Sequence, residues 1–151
     1  GGLYGAAIDE ITKWLELAQG VAENTAQGEA LGLLIEYYKT GDLQVWDDYN
    51  VAWTAATEGN IDYINSFIEV YNDPLGYRGS YENIVQIKDF DMSRKMAVLS
   101  DNAQWFEDNS PLIPSHKKKE VKGVSYKVVQ VASESGEMGF INGLKSLVIR
   151  T

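Results

Sequence analysis

The chain has 151 residues, 44% of them hydrophobic and 11% aromatic, which suits one ordinary domain with a real core and excludes a disordered chain. Its 22 acidic residues against 13 basic ones leave a formal charge of -9; this argues against a nucleic-acid partner and favours cationic groups such as the free amine of a peptide. Cysteine is absent, so disulfides and thiol-based zinc or redox motifs are excluded, and a cytoplasmic compartment is expected. No apolar run reaches the ~18 residues of a membrane helix, and no signal-peptide pattern is present, so no membrane partner is expected. The opening Gly1-Gly2-Leu3, without methionine, reads as an excised piece of something longer or as a processed terminus.

Along the chain, Ile8, Ile11, Trp14, Leu15, Leu17, Ala18, Val21 and Ala22 recur at spacings of three and four, predicting an amphipathic helix from Leu3 to about Glu23. A second helix is predicted from about Ala26 to Lys39, with Leu31, Leu34, Ile35 and Tyr38 inward. Thr40-Gly41-Asp42 stops it, Gly41 taking the left-handed cap and Asp42 capping a third helix from about Leu43 to Thr57. After Glu58-Gly59-Asn60, β-branched and aromatic residues (Ile61, Tyr63, Phe67, Val70, Tyr71) favour a strand, although Ile64, Phe67, Ile68 and Tyr71 also fit a helix face. Asp73-Pro74-Leu75-Gly76 turns the chain into a second strand, Ser80 to Lys88. Asp91-Met92-Ser93 caps a helix reaching about Phe106, with Met96, Val98 and Leu99 apolar. Residues from Glu107 to Gly123 read as an exposed loop, Val124 to Ala132 as the cleanest strand, and the end as a glycine-punctuated turn before a short apolar run. Helices and strands segregate, so the expected class is α+β: N-terminal helices, then a mainly antiparallel sheet or partial barrel with a further helix. In domain terms this is one domain or part of one, residues 1–57 helical and 61–151 β-rich, with a helix near 92–106.

Little of the usual catalytic chemistry is available. The lone histidine, His116, stands beside Lys117-Lys118-Lys119 and reads as a solvated loop residue, so no metal site and no complete histidine-based triad is expected. The phosphate-cradling glycine motifs are missing, and Trp14, Trp46, Trp53 and Trp105 read as core. Four carboxylates, Asp62, Glu69, Asp73 and Glu82, gather around the Pro74 turn. Such acids can hold an ammonium group or act as acid and base; the plainer reading has Asp73 capping the turn and Glu69 pairing with Arg78 across the hairpin.

The stretches GLYGAAIDEITKWLELA, YYKTGDLQVWDDYNVAW, DYINSFIEVYNDPLGYRGSYE, NAQWFEDNSP and VKGVSYKVVQVA together resemble the dipeptidyl peptidase III family, the M49 zinc aminopeptidases. The similarity is greatest to the branch in which a Nudix hydrolase domain can precede the peptidase part, and it covers nearly all of residues 2–138. The resemblance implies a two-lobed parent, one lobe with a β-barrel core and one mostly helical lobe holding zinc through H-E-x-x-x-H and E-E-C-R-A-[DE] motifs. Neither motif occurs here. By this resemblance the chain contributes part of the barrel lobe and of the substrate-cleft wall, with no catalytic residue and no metal ligand; zinc belongs to the intact parent.

Aligned on Phe67 and Glu69, the acidic residue that receives the peptide amine in relatives falls at Asp62. The tyrosine two residues after it is Ile64 here, unless a one-residue shift brings in Tyr63. The expected substrate-binding set is therefore Asp62, Tyr63 and Glu69, with peptides as partners. An asparagine block expected after Met138 is missing or degenerate, so Asn142 receives no role. Alternatives from other classes are a non-catalytic peptide- or protein-binding α+β module and a purely structural piece, whose exposed apolar surface would drive self-association.

Overall fold

The computed structural model describes residues 2–121, 126–135 and 147–149. Two compact units divide the chain, Gly1–Asn60 and Ile61–Thr151.

The first unit is three helices: α1 (Gly5–Gln19), α2 (Thr25–Thr40) and α3 (Leu43–Ala55). α2 packs against both neighbours and supplies most of the core through Ala30, Leu31, Leu34, Ile35 and Tyr38. Leu15 of α1 and Tyr49 of α3 close it from either side, and Tyr38, Tyr37, Trp46 and Tyr49 form a run of tilted ring contacts with centroids 5.0–5.5 Å apart. The two predicted caps are present: Gly41 takes the left-handed conformation at φ 71°, and Asp42 accepts from Gln44 N–H. A cap that was not predicted starts α2, where Asn24 accepts from Gln27 N–H.

The second unit is an antiparallel sheet with helices. β1 (Ile61–Glu69), β2 (Ser80–Lys88), β3 (Tyr126–Ser135) and β4 (Leu147–Ile149) follow one another in sheet order, so the α+β class is the observed one, as a sheet whose described strands do not close on themselves. Between β2 and β3 lie α4 (Phe90–Asp101) and α5 (Ala103–Asp108). α4 packs on β3, and the Ser93 hydroxyl ties the two together, donating to Val128 O at 3.3 Å and accepting from Val128 N–H at 3.1 Å.

Three expectations are corrected. The helix after β2 starts earlier than predicted: Asp89, not Asp91, is the cap, accepting from Met92 N–H at 2.9 Å, and Asn102 interrupts it before Phe106. Trp14 (63% exposed) and Trp105 (59% exposed) face solvent instead of the core, whereas Trp46 and Trp53 are half-buried. The reason for Trp14 is geometric. α1 is apolar around much of its circumference, but within its unit it packs mainly on α2, so only Thr12 and Leu15 of the helix are enclosed while Trp14 and Leu17, and Val21 just beyond its end, remain outside.

Candidate functional site

The candidate residues lie on the β1–β2 hairpin. Pairing runs Asp62 with Gln86, Ile64 with Ile84 and Ser66 with Glu82, so these six side chains share one face of the sheet. The intervening residues, Tyr63, Asn65 and Phe67, lie opposite Val85, Asn83 and Tyr81 on the other face. A bulge then breaks the count: Phe67 pairs with Tyr81, but the next pair is Glu69 with Ser80. Strict alternation from Ile61 would have put Glu69 on the face of Tyr63; the extra residue moves it to the face of Asp62.

Asp62 is half-buried, and its Oδ1 accepts from the N–H of Tyr63 at 2.9 Å. Glu69 shares its face but stands seven residues along the strand, about 23 Å away at roughly 3.3 Å per residue. Tyr63 is half-buried with its hydroxyl shielded from solvent, on the opposite face. One ligand amine therefore cannot meet all three residues.

Glu69 also lacks the expected partner: it stands across from Ser80 in the ladder, and the acid beside Arg78 is Asp73. Asp73 does cap the turn. Its Oδ1 accepts from Leu75 N–H at 3.1 Å, and its Oδ2 from Tyr77 and Arg78 N–H at 2.9 Å each. The Leu75 bond first, then Tyr77, Arg78 and the Arg78 charge, hold its carboxyl below the usual aspartate range. Gly76 completes the turn at φ 65°.

The hairpin's two faces differ in chemistry. On the Tyr63 face, Asn65 Nδ2 donates to Tyr81 Oη at 2.9 Å and lies 3.3 Å from Asn83 Oδ1, while the Phe67 and Tyr81 rings meet edge-on at 5.5 Å. Burial pushes the Tyr81 phenol up, the Asn65 bond partly opposing it. On the Asp62 face, Ser66 and Glu82 are wholly enclosed (0% exposed), with Ile84 and Gln86 beside them. The sequence did carry a signal of this. Glu82, Ile84 and Gln86 alternate in one strand, so any face that buries Ile84 must bury two polar neighbours with it.

No group of three or more His, Cys, Asp or Glu side chains among the described residues could hold a metal ion. The residues present therefore do not fit zinc, and no hydrolytic step is assigned to them. His116 is exposed in a 3-10 turn, Pro114–His116, and the lysine run after it is strapped to α5 by Lys117 Nζ to Asp108 O and Lys118 N–H to Glu107 Oε1. An open cavity of about 560 Å³ lies in the first unit between the start of α1 and Tyr38-Lys39; Lys39 is already ion-paired with Glu16 at 2.6 Å and Lys13 with Glu10 at 2.9 Å. No helix among the described residues is long and apolar enough to cross a membrane.

The sequence profile of peptidase family M49 matches residues 1–140. Dipeptidyl peptidase 3 of Homo sapiens is 28% identical over 117 residues, covering 78% of this chain and 16% of the human protein. The dipeptidyl peptidase 3 of Dictyostelium discoideum is 29% identical over 132 residues, 85% of this chain and 19% of that one. Nudix hydrolase 3 of Arabidopsis thaliana is 26% identical over 137 residues, 90% of this chain and 17% of that one. The chain thus spans under a fifth of the length of these relatives. Among solved structures, DPP III from Caldithrix abyssi superposes with a TM-score of 0.68 at 22% identity, covering 89% of this chain and 26% of that one, which shows a shared fold.

Proposed function

The chain belongs to peptidase family M49, and from that premise we propose that it forms part of the peptide-cleft wall of a zinc aminopeptidase that releases N-terminal dipeptides. The observation that carries this reading is the match across residues 1–140, joined by relatives named dipeptidyl peptidase 3 of which this stretch is a minor share. In such an enzyme zinc supplies Lewis-acid activation of water; that chemistry would come from outside these residues. The isolated chain is expected to release no dipeptide naphthylamide with zinc added, and zinc-dependent release would overturn the division of labour proposed here.

Asp62 is the proposed receiver of the substrate's free amine. Its half-buried carboxylate at the start of β1 suits an ammonium group, because partial burial strengthens attraction between opposite charges relative to open water. Glu69, on the same face at the far end of β1, would meet a distal part of a peptide; Tyr63 on the opposite face is left to the hairpin's packing. Calorimetry with a short peptide, free and N-acetylated, tests the assignment. Binding should be lost on acetylation and on Asp62→Ala, and indifference to both changes refutes it.

A second reading, a module that binds protein without chemistry of its own, is favoured by the exposed Trp105 and Phe106 rings, stacked edge-on at 5.2 Å, and the nearby exposed Leu112 and Ile113. Self-association in sedimentation, together with equal binding of free and acetylated peptides, would be its signature. The proposed compartment is the cytoplasm, in keeping with a cysteine-free, acidic composition.

A further inference from the structure

Between α3 and β1 runs a short connector, residues 56–60, at the boundary of the two compact units. Two of its last three residues, Glu58 and Asn60, are hydrogen-bonded to the loop between α1 and α2. The Glu23 carboxylate accepts twice from Asn60, at Oε2 from the backbone N–H (2.8 Å) and at Oε1 from side-chain Nδ2 (3.0 Å). Asn24 Nδ2 donates to Glu58 O at 3.1 Å. The loop is itself braced: Glu23 N–H donates to Gln27 Oε1 at 2.7 Å, and Gln27 N–H to Asn24 Oδ1 at 2.9 Å, with Gln27 buried.

Gly59, between the two bonded residues, has φ +113°, and a Cβ there would stand 2.9 Å from Glu23 Oε2. The backbone conformation therefore favours glycine, and a Cβ there would push the Glu23 carboxylate out of its place. A solitary exposed ion contact is worth little, but a carboxylate gripping a backbone N–H and its own side-chain amide together is charge-assisted and fixed in direction. The arrangement has the form of a latch closed on a pivot.

We propose that the Glu23–Asn60 pair is a latch on the connector, with Gly59 as its pivot, and that releasing it frees the chain that joins the helical unit to the sheet. The helices do not need this contact for their own core, which rests on Leu15, Leu31, Leu34, Ile35 and Tyr49, and β1 is held in its unit by its ladder with β2. The latch is thus separable from the stability of either unit, as a conformational control has to be. It stands independently of any role for Asp62.

Glu58 gives a direct handle, because a glutamate-specific protease cleaves after it. Glu23→Ala should raise cleavage after Glu58, and amide exchange at Asn60, by at least about tenfold, the factor that one of the two charge-assisted hydrogen bonds it removes represents in an opening equilibrium. Protection of α2 and α3 should stay unchanged. Glu23→Gln keeps one acceptor for the Asn60 N–H and should fall between, and Asn60→Ala, which removes only the side-chain arm, should do likewise. Unchanged cleavage and exchange in Glu23→Ala overturn the latch. So does an equal rise throughout α2 and α3, which would make Glu23 an ordinary contributor to the stability of the helices.

Discussion

Gly79 stands immediately before β2 and against the bulge in β1. A methyl group on its Cα would lie 3.0 Å from the carbonyl carbon of Phe67, 3.2 Å from its Cβ and 3.2 Å from its carbonyl oxygen. Carbon atoms at rest sit about 3.5–4.0 Å apart, and the neighbour here is mostly backbone, pinned by the Phe67–Tyr81 and Glu69–Ser80 pairs. It cannot rotate aside as a side-chain tip could. Gly79→Ala should therefore cost about 2 kcal/mol, the middle of the range for overpacking. For a unit of this size that lowers Tm by about 8–16 °C. Gly76→Ala is the internal control: its φ is +65°, but the nearest atom to a new Cβ is Val70 Cγ2 at 4.0 Å, so only the backbone term of about 1 kcal/mol applies. Calorimetry is the assay of choice, because the helical unit and the sheet can melt separately. A Gly79→Ala transition no lower than that of Gly76→Ala would refute the reasoning, and with it the rigidity attributed to the bulge.

Two further outcomes follow from charge and burial. The carboxyl of Asp73 is held below its ordinary value of 3.8 by the turn's N–H groups; a depressed folded value means its contribution is present above 3.8 and is lost as pH falls through the folded value. Protection of the Leu75, Tyr77 and Arg78 amides, measured relative to their intrinsic exchange rates, should fall over that acid range, and Asp73→Asn should remove this pH dependence of protection. The Tyr81 phenol is raised above 10.0 by burial, with Asn65 pulling the other way; its contribution is present below 10.0 and lost as pH rises through the folded value. Asn65→Ala should shift Tyr81 ionisation to still higher pH in an ultraviolet titration, and a downward shift would show that the Asn65 amide does not donate to the phenol oxygen.

Local chemistry was legible wherever a few neighbouring residues decide the outcome. Gly41 and Asp42 end one helix and begin the next because a left-handed cap and an aspartate acceptor need no distant partner. The strand Ser80–Lys88 matches its expected bounds, and Asp73 with Gly76 makes the turn before it. The inward positions of α2 were equally readable, since Leu31, Leu34, Ile35 and Tyr38 form a single stripe on a helix with neighbours on two sides. The motif-level resemblance to M49 peptidases was carried by the same stretches and agrees with the match over residues 1–140. The candidate site was legible only in part. Asp62 could be chosen by alignment, but its relation to Tyr63 and Glu69 depends on which face of a strand each occupies.

The sequence by itself thus determined the broad order and kind of the elements and the turn chemistry, which follow from residues within a few positions of one another, and, through stretches spread along the chain, the family. Only the tertiary structure decided that Glu69 shares a face with Asp62, that Ser66 and Glu82 are enclosed while Trp14 and Trp105 are not, and that Glu23 reaches Asn60. Each of these depends on contacts between residues far apart in the chain. A one-residue bulge reverses the parity of everything beyond it. Burial likewise belongs to a surface only when another element covers it, and no pattern along one segment records which neighbour will.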